Sequence, residues 1–135
     1  MKVEPYLNFD GRCDEAIEFY KKAVGAKVQM LMRFKECPEP QPNMDPAAAN
    51  KVMHAAFQVG QTTVMASDGR CTGSTKFDGI TLSVTTASDA EAQKIFKALS
   101  EGGQVTMPLN KTFFSSQFGM LADRFGVHWM VLVAQ

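Results

Sequence analysis

The stretch from Tyr6 to Met30, YLNFDGRCDEAIEFYKKAVGAKVQM, returns in degraded form after Thr81 as TLSVTTASDAEAQKIFKALSEGGQVTM. Tyr20 falls opposite Phe96 and Ala16 opposite Ala92 at a common offset, and Met30 meets Met107 after a one-residue slip. Each copy reads as a short alternating strand, a helix of about three turns and a second strand. The helices carry apolar residues at helical spacing: Ala16, Ile17, Tyr20 and Val24 in the first, Ala92, Ile95, Phe96 and Leu99 in the second. Both run out at a glycine, Gly25 or Gly102, which suits a left-handed C-terminal position. A strand–helix–strand unit used twice is the strongest constraint on what this chain can fold into.

Further strands complete each copy. Residues 3–9, 27–35, 51–59 and 62–68 alternate or carry β-branched residues in the first half, with a helix over 13–24. The second half repeats the order with strands at 79–85, 103–108, 115–122 and 127–134 and a helix over 88–100. The chain is therefore expected to be α+β, one domain of two βαβββ modules: module 1 over about 3–68, a linker at 69–77, and module 2 over about 78–134. The Pro-rich segment KECPEPQPNMDPAAAN, covering the loop at 36–50, is the main difference between the halves.

Composition sets the functional classes aside. Fourteen basic residues balance fourteen acidic ones in 135 residues, so the broad positive surface of a nucleic-acid binder is absent. No apolar run reaches the length of a membrane span and MKVEPYLNFD has no signal-peptide core, so a soluble cytoplasmic protein is expected. Three cysteines, Cys13, Cys37 and Cys71, form no zinc pattern and read as free thiols. Cys13 stands near a helix start, where the dipole favours a thiolate, but no histidine adjoins it in sequence to activate it.

Alternation sorts the strands into two faces. Leu7, Phe9, Met53, Ala55, Phe57, Val59, Val64, Ala66, Ile80, Leu82, Val84, Trp129, Val131 and Val133 form an apolar set that is expected to receive the helices. The opposite set holds Tyr6, Asn8, Arg33, His54, Gln58, Thr63, Met65, Ser67, Thr81, Ser83, His128 and Met130. A solvated face would hold Lys and Glu; this one suits the wall of a half-dry pocket, with a solvated or dimer-covered face as the alternative.

PYLNFDGRCDEAIEFYKKAVGA at the start, KVMHAAFQVGQTTVMASD in the middle and FGMLADRFGVHWMV at the end carry a resemblance that spans nearly the whole chain. The sequence resembles the PhnB-like branch of the vicinal oxygen chelate superfamily, which includes glyoxalases, extradiol dioxygenases and bleomycin-resistance proteins. The resemblance implies two modules forming a curled mixed sheet around a cleft, helices on the outer face, and a homodimer. Some family descriptions name a demethylubiquinone methyltransferase, but no GxGxxG turn is present to support one. The superfamily's enzymes hold a divalent metal at four positions, which fall here at Glu4, Met65, Gly79 and Met130. Only Glu4 is a hard ligand, so neither a metal nor another cofactor is expected.

The candidate ligand-binding residues are Asn8, Arg33, His54, Met65, Ser67, Thr81, Phe113 and Met130. Arg33 is expected to hold an anionic end, His54 to add a donor when protonated, and the methionines to pack the apolar remainder. Phe113 and Phe114 are candidates for a rim, whereas Trp129 reads as core. The expected function is metal-free binding of a small organic molecule. Two alternatives stay open: a metal-dependent lyase, isomerase or dioxygenase using Glu4, and a structural or regulatory dimer. Neither nucleic acid nor membrane is an expected partner.

Overall fold

The computed structural model describes residues 1–38, 46–69 and 75–135. It divides into two compact units, Met1–Thr75 and Lys76–Gln135, and each is a βαβββ module. The α+β architecture of two such modules is thus the fold. The middle of the Pro-rich loop, residues 39–45, and part of the expected linker, residues 70–74 with Cys71, lie outside the described residues.

Unit 1 runs β1 (Tyr6–Asn8), α1 (Cys13–Val24), β2 (Lys27–Arg33), β3 (Val52–Val59) and β4 (Thr62–Ser67). Its sheet has the order β1-β4-β3-β2, with β1 parallel to β4 and the other pairs antiparallel. The helix buries Cys13, Ala16, Ile17, Tyr20 and Ala23, a set at the spacing that one helical stripe requires. Tyr20 stacks on Phe57 of β3 at 6.0 Å and lies 6.1 Å from Phe9. Each fully buried side chain of this size contributes about 1.5–3 kcal/mol. Gly25 closes the helix at φ 67°, the left-handed position that a Cβ disfavours.

Unit 2 repeats the order with β5 (Thr81–Thr86), α2 (Asp89–Ser100), β6 (Gln104–Asn110), β7 (Phe118–Ala122) and β8 (His128–Val133). The sheet order is β5-β8-β7-β6, and again only the first pair is parallel. Ser88 caps α2, its side chain accepting from Glu91 N at 3.2 Å. Ala92, Phe96 and Leu99 are buried. A Cβ on Gly119 would lie 2.7 Å from Phe96 and 3.0 Å from the β6 backbone, so the absence of a side chain lets α2 lie close on the sheet.

Two expectations need correction. Ile80 precedes β5 and is 67% exposed, so it is not core. In β2 the alternation breaks: register shifts lie between Val28 and Met30 and between Met32 and Arg33. Val28 and Leu31 therefore pair with the core residues Phe57 and Ala55, while Met30 and Met32 pair with Ala56 and His54. The bulge moves two methionines onto the face opposite the helix, where alternation alone had put Arg33. Among the described residues, no helix is long and apolar enough to cross a membrane.

Candidate functional site

Directly paired residues in a sheet point to one face, so register places the polar set. In unit 1 one rung reads Tyr6, Met65, Ala56, Met30 across β1, β4, β3 and β2. In unit 2 the corresponding rung reads Ser83, Met130, Met120, Met107 across β5, β8, β7 and β6. The internal repeat thus survives as chemistry: methionine stands at the same rung positions on the first unit's β4 and β2 and on the second unit's β8 and β6. Met65 and Met130 are half-buried, whereas Met30 and Met107, on the edge strands, are exposed.

One step along the sheet of unit 1, Asn8 pairs with Ser67, and His54 with Met32. Tyr6 and His54 belong to strands on either side of β4, and the tyrosine reaches across to place its Oη 2.9 Å from His54 Nδ1. The rings are 5.5 Å apart and tilted by 32°. Asn8 is exposed, and its Oδ1 lies 3.4 Å from where a Cβ on Gly69 would stand. Ser67 is buried, its Oγ accepting from Gly69 N at 2.9 Å, so its hydroxyl serves the strand end.

Arg33 goes elsewhere. Its guanidinium donates to Asp14 of α1 at 2.8 and 3.0 Å, and to the Asn50 carbonyl at 2.7 Å. These hydrogen bonds hold the Asp14 carboxyl below its ordinary range, with desolvation opposing, and raise Arg33 further. The residue ties helix, loop and strand together. Arg33 pairs with Val52 across a register shift, and its guanidinium is taken up by the helix and the loop.

In unit 2, Thr81 is exposed and pairs with His128, one step from the Ser83–Met130 pair on the same face. Phe113 is fully exposed and meets Phe114 edge-on at 5.1 Å; Phe114 in turn meets Phe118 of β7 at 5.1 Å. Phe118 lies on the face of Met120 and Met130, so an aromatic ladder leads from the loop to the methionines. Trp129 is buried, its Nε1 donating to Asp123 Oδ2 at 2.9 Å.

One buried group, Asp68, escaped sequence reasoning, and a second, Cys13, was noted there only for its place near a helix start. Asp68, just past β4, accepts from Gly11 N and Cys13 N through Oδ1 and from Val52 N through Oδ2, each at 2.8 Å. It caps α1 from a distant strand end, the service that Arg12 at the cap position does not perform. Cys13 is wholly buried, and burial, then the charges of Asp68 and Asp14, push its thiol up to about 12 against a smaller lowering by Arg33. A thiol so held is no nucleophile.

The donor chemistry at the four superfamily metal positions does not fit a hard divalent cation. Glu4 offers a carboxylate, Met65 and Met130 offer thioethers, and Gly79 has no side chain. Among the described residues, no three of His, Cys, Asp or Glu gather to hold a metal ion.

The family model described as 3-demethylubiquinone-9 3-methyltransferase matches residues 1–132. The chain belongs to that family. It is the PhnB-like family of the resemblance: a solved Bacillus cereus PhnB protein carrying the same description is 28% identical, covers 99% of this chain and 100% of its own, and superposes with a TM-score of 0.82. Protein PA1353 from Pseudomonas aeruginosa is 40% identical over 100% of this chain and 98% of its own, with a TM-score of 0.87. A glyoxylase/bleomycin resistance protein/dioxygenase domain from Frankia shares the fold at 16% identity and a TM-score of 0.65, covering 100% of this chain and 92% of its own. The PhnB-like chain therefore shares the glyoxalase/bleomycin resistance/dioxygenase fold, and of the four positions that the resemblance assigns to a metal only Glu4 carries a hard ligand.

Proposed function

We propose that this PhnB-like protein binds a small organic molecule, with an anionic or other oxygen-bearing end and an apolar body, on the open face of its sheets and without a resident metal. The observation that carries the reading is the face opposite α1, where Tyr6, Asn8 and His54 stand in one sheet with Met65, Met30 and Met32. Methionine adapts its shape to an apolar guest and packs well against rings. The few polar groups supply direction. On the second unit, Thr81, Met130 and the Phe113–Phe114–Phe118 ladder offer the same mixture.

Methyl transfer, which the family's description names, is not the reading favoured. Each sheet has one parallel pair and two antiparallel ones, unlike the doubly wound parallel sheet whose crevice holds a nucleotide-type cofactor. Arg33 supports the site at one remove, since its guanidinium is taken by Asp14 and Asn50. A homodimer completes the proposal. The edge strands β2 and β6 expose Val28, Met30, Val105 and Met107, apolar surface on sheet edges that a second copy would cover. A cytoplasmic site of action fits the free thiols Cys13 and Cys37.

Calorimetric titration against small carboxylates, phosphonates and neutral amides, with and without chelator, tests the reading. Saturable binding that is unchanged by chelator and lost in His54→Ala is expected. Binding that appears only after a divalent ion is added would contradict it.

A further inference from the structure

The Tyr6–His54 contact has one free end. His54 meets Tyr6 Oη through Nδ1 at 2.9 Å, and among the described residues its Nε2 has no hydrogen-bond partner. Among the described residues, no half-buried or buried side-chain nitrogen or oxygen is both shut off from solvent and unpartnered, so Nε2 is open to solvent. It belongs to the face that also carries Met32, the strand neighbour of His54, and Met65, the strand neighbour of Tyr6.

Chemistry fixes the direction of the bond. A neutral imidazole has one N–H and one bare sp² nitrogen, and which is which follows from its partners. A phenol is a good donor and a poor acceptor, because its oxygen lone pair is delocalised into the ring. The bare imidazole nitrogen is by far the more basic of the two atoms. The favoured pairing therefore has Tyr6 donating its O–H to Nδ1. The proton of neutral His54 must then reside on Nε2, the nitrogen that faces solvent.

We infer that Tyr6 is a positioning residue that locks neutral His54 as an Nε2–H donor, so that the site selects molecules presenting an oxygen acceptor on a flat apolar body. This rests on the ligand-binding reading above and deepens it. Protonation is not needed for His54 to donate, and a neutral carbonyl serves as well as a carboxylate. A cationic, donor-only group finds no acceptor at Nε2.

The test separates the tautomer from the ligand. Imidazole ¹⁵N shifts of the ligand-free protein, recorded at alkaline pH where imidazoles are neutral, should show a bare Nδ1 and a protonated Nε2 for His54. His128, the other histidine, serves as internal reference. In Tyr6→Phe, which keeps the ring and removes only the hydroxyl, the His54 pattern should relax toward the averaged pair of an unrestrained imidazole. A protonated Nδ1, or identical shifts in both proteins, overturns the inference. Benzoate, benzamide and benzylamine are then titrated while Nε2 is followed. Benzoate and benzamide should move it saturably and benzylamine should not. Tyr6→Phe should weaken benzamide roughly two- to tenfold, the range of one ordinary hydrogen bond. Equal response to benzylamine overturns the selectivity. A locked tautomer with no response to any of the three would overturn the ligand-binding reading and the selectivity together, leaving only the tautomer standing.

Discussion

Asp68 illustrates what a single residue contributes here. Its carboxylate receives three backbone N–H groups from the turn before α1, the first turn of α1 and the start of β3. Asp68→Ala would leave those donors without their partner in a buried place, at about 1–3 kcal/mol for each that water does not reach. A loss of at least about 3 kcal/mol in urea unfolding is expected. A loss under about 1 kcal/mol would mean that water takes over the carboxylate's role. Cys13 makes a second point at this scale. With its thiol pushed up to about 12, the folded protein should resist iodoacetamide at Cys13 through neutral and mildly alkaline pH, and react there only on unfolding. Peptide mapping of labelled protein checks this, with the half-buried Cys37 as the accessible comparison.

At the scale of elements, the Arg33–Asp14 pair joins β2 to α1, and Arg33 also holds the Asn50 carbonyl before β3. The pair is partly exposed, so its net worth is no more than about 1 kcal/mol. Because the folded-state pKa of Asp14 is lowered, its contribution is present above the unfolded carboxylate value of about 3.9 and fades as pH falls through the lower folded value. The stability gap between wild type and Arg33→Ala should narrow over that acid range, leaving the share of the Asn50 bond, as urea midpoints followed against pH would record. Gly119→Ala should cost more, about 1–3 kcal/mol, because its Cβ meets both Phe96 and the β6 backbone. The two helices were legible in the sequence because their apolar residues keep one period and their ends carry recognisable signals, Gly25 after α1 and Gly102 after α2, both at positive φ. The strand faces were legible only while alternation held. Tyr6, Asn8, His54 and Met65 follow from it, but the bulge in β2 hid Met30 and Met32 and sent Arg33 to the helix. Asp68 was hidden for another reason: its partners Gly11, Cys13 and Val52 are distant in sequence, and no local pattern announces a cap supplied from another strand.

At the scale of the whole molecule the proposed function has two parts, a second copy and a metal-free ligand. Light scattering at micromolar concentration should give twice the 14.8 kDa chain mass, and Val28→Lys or Val105→Lys on the exposed edges should lower it toward one. The ligand claim is the central one, and the methionines are natural reporters for it. Met30, Met32 and Met65 in unit 1 and Met107, Met120 and Met130 in unit 2 share the faces opposite the helices, while Met1 is fully exposed at the terminus. The decisive measurement is a ¹³C-methyl methionine spectrum of the protein, titrated with benzoate and benzamide in the presence of chelator. The account predicts saturable shifts at Met65, Met30 and Met32, none at Met1, and the same curve without chelator. Shifts that require an added divalent ion, or a spectrum in which no methionine of either face responds, would contradict it.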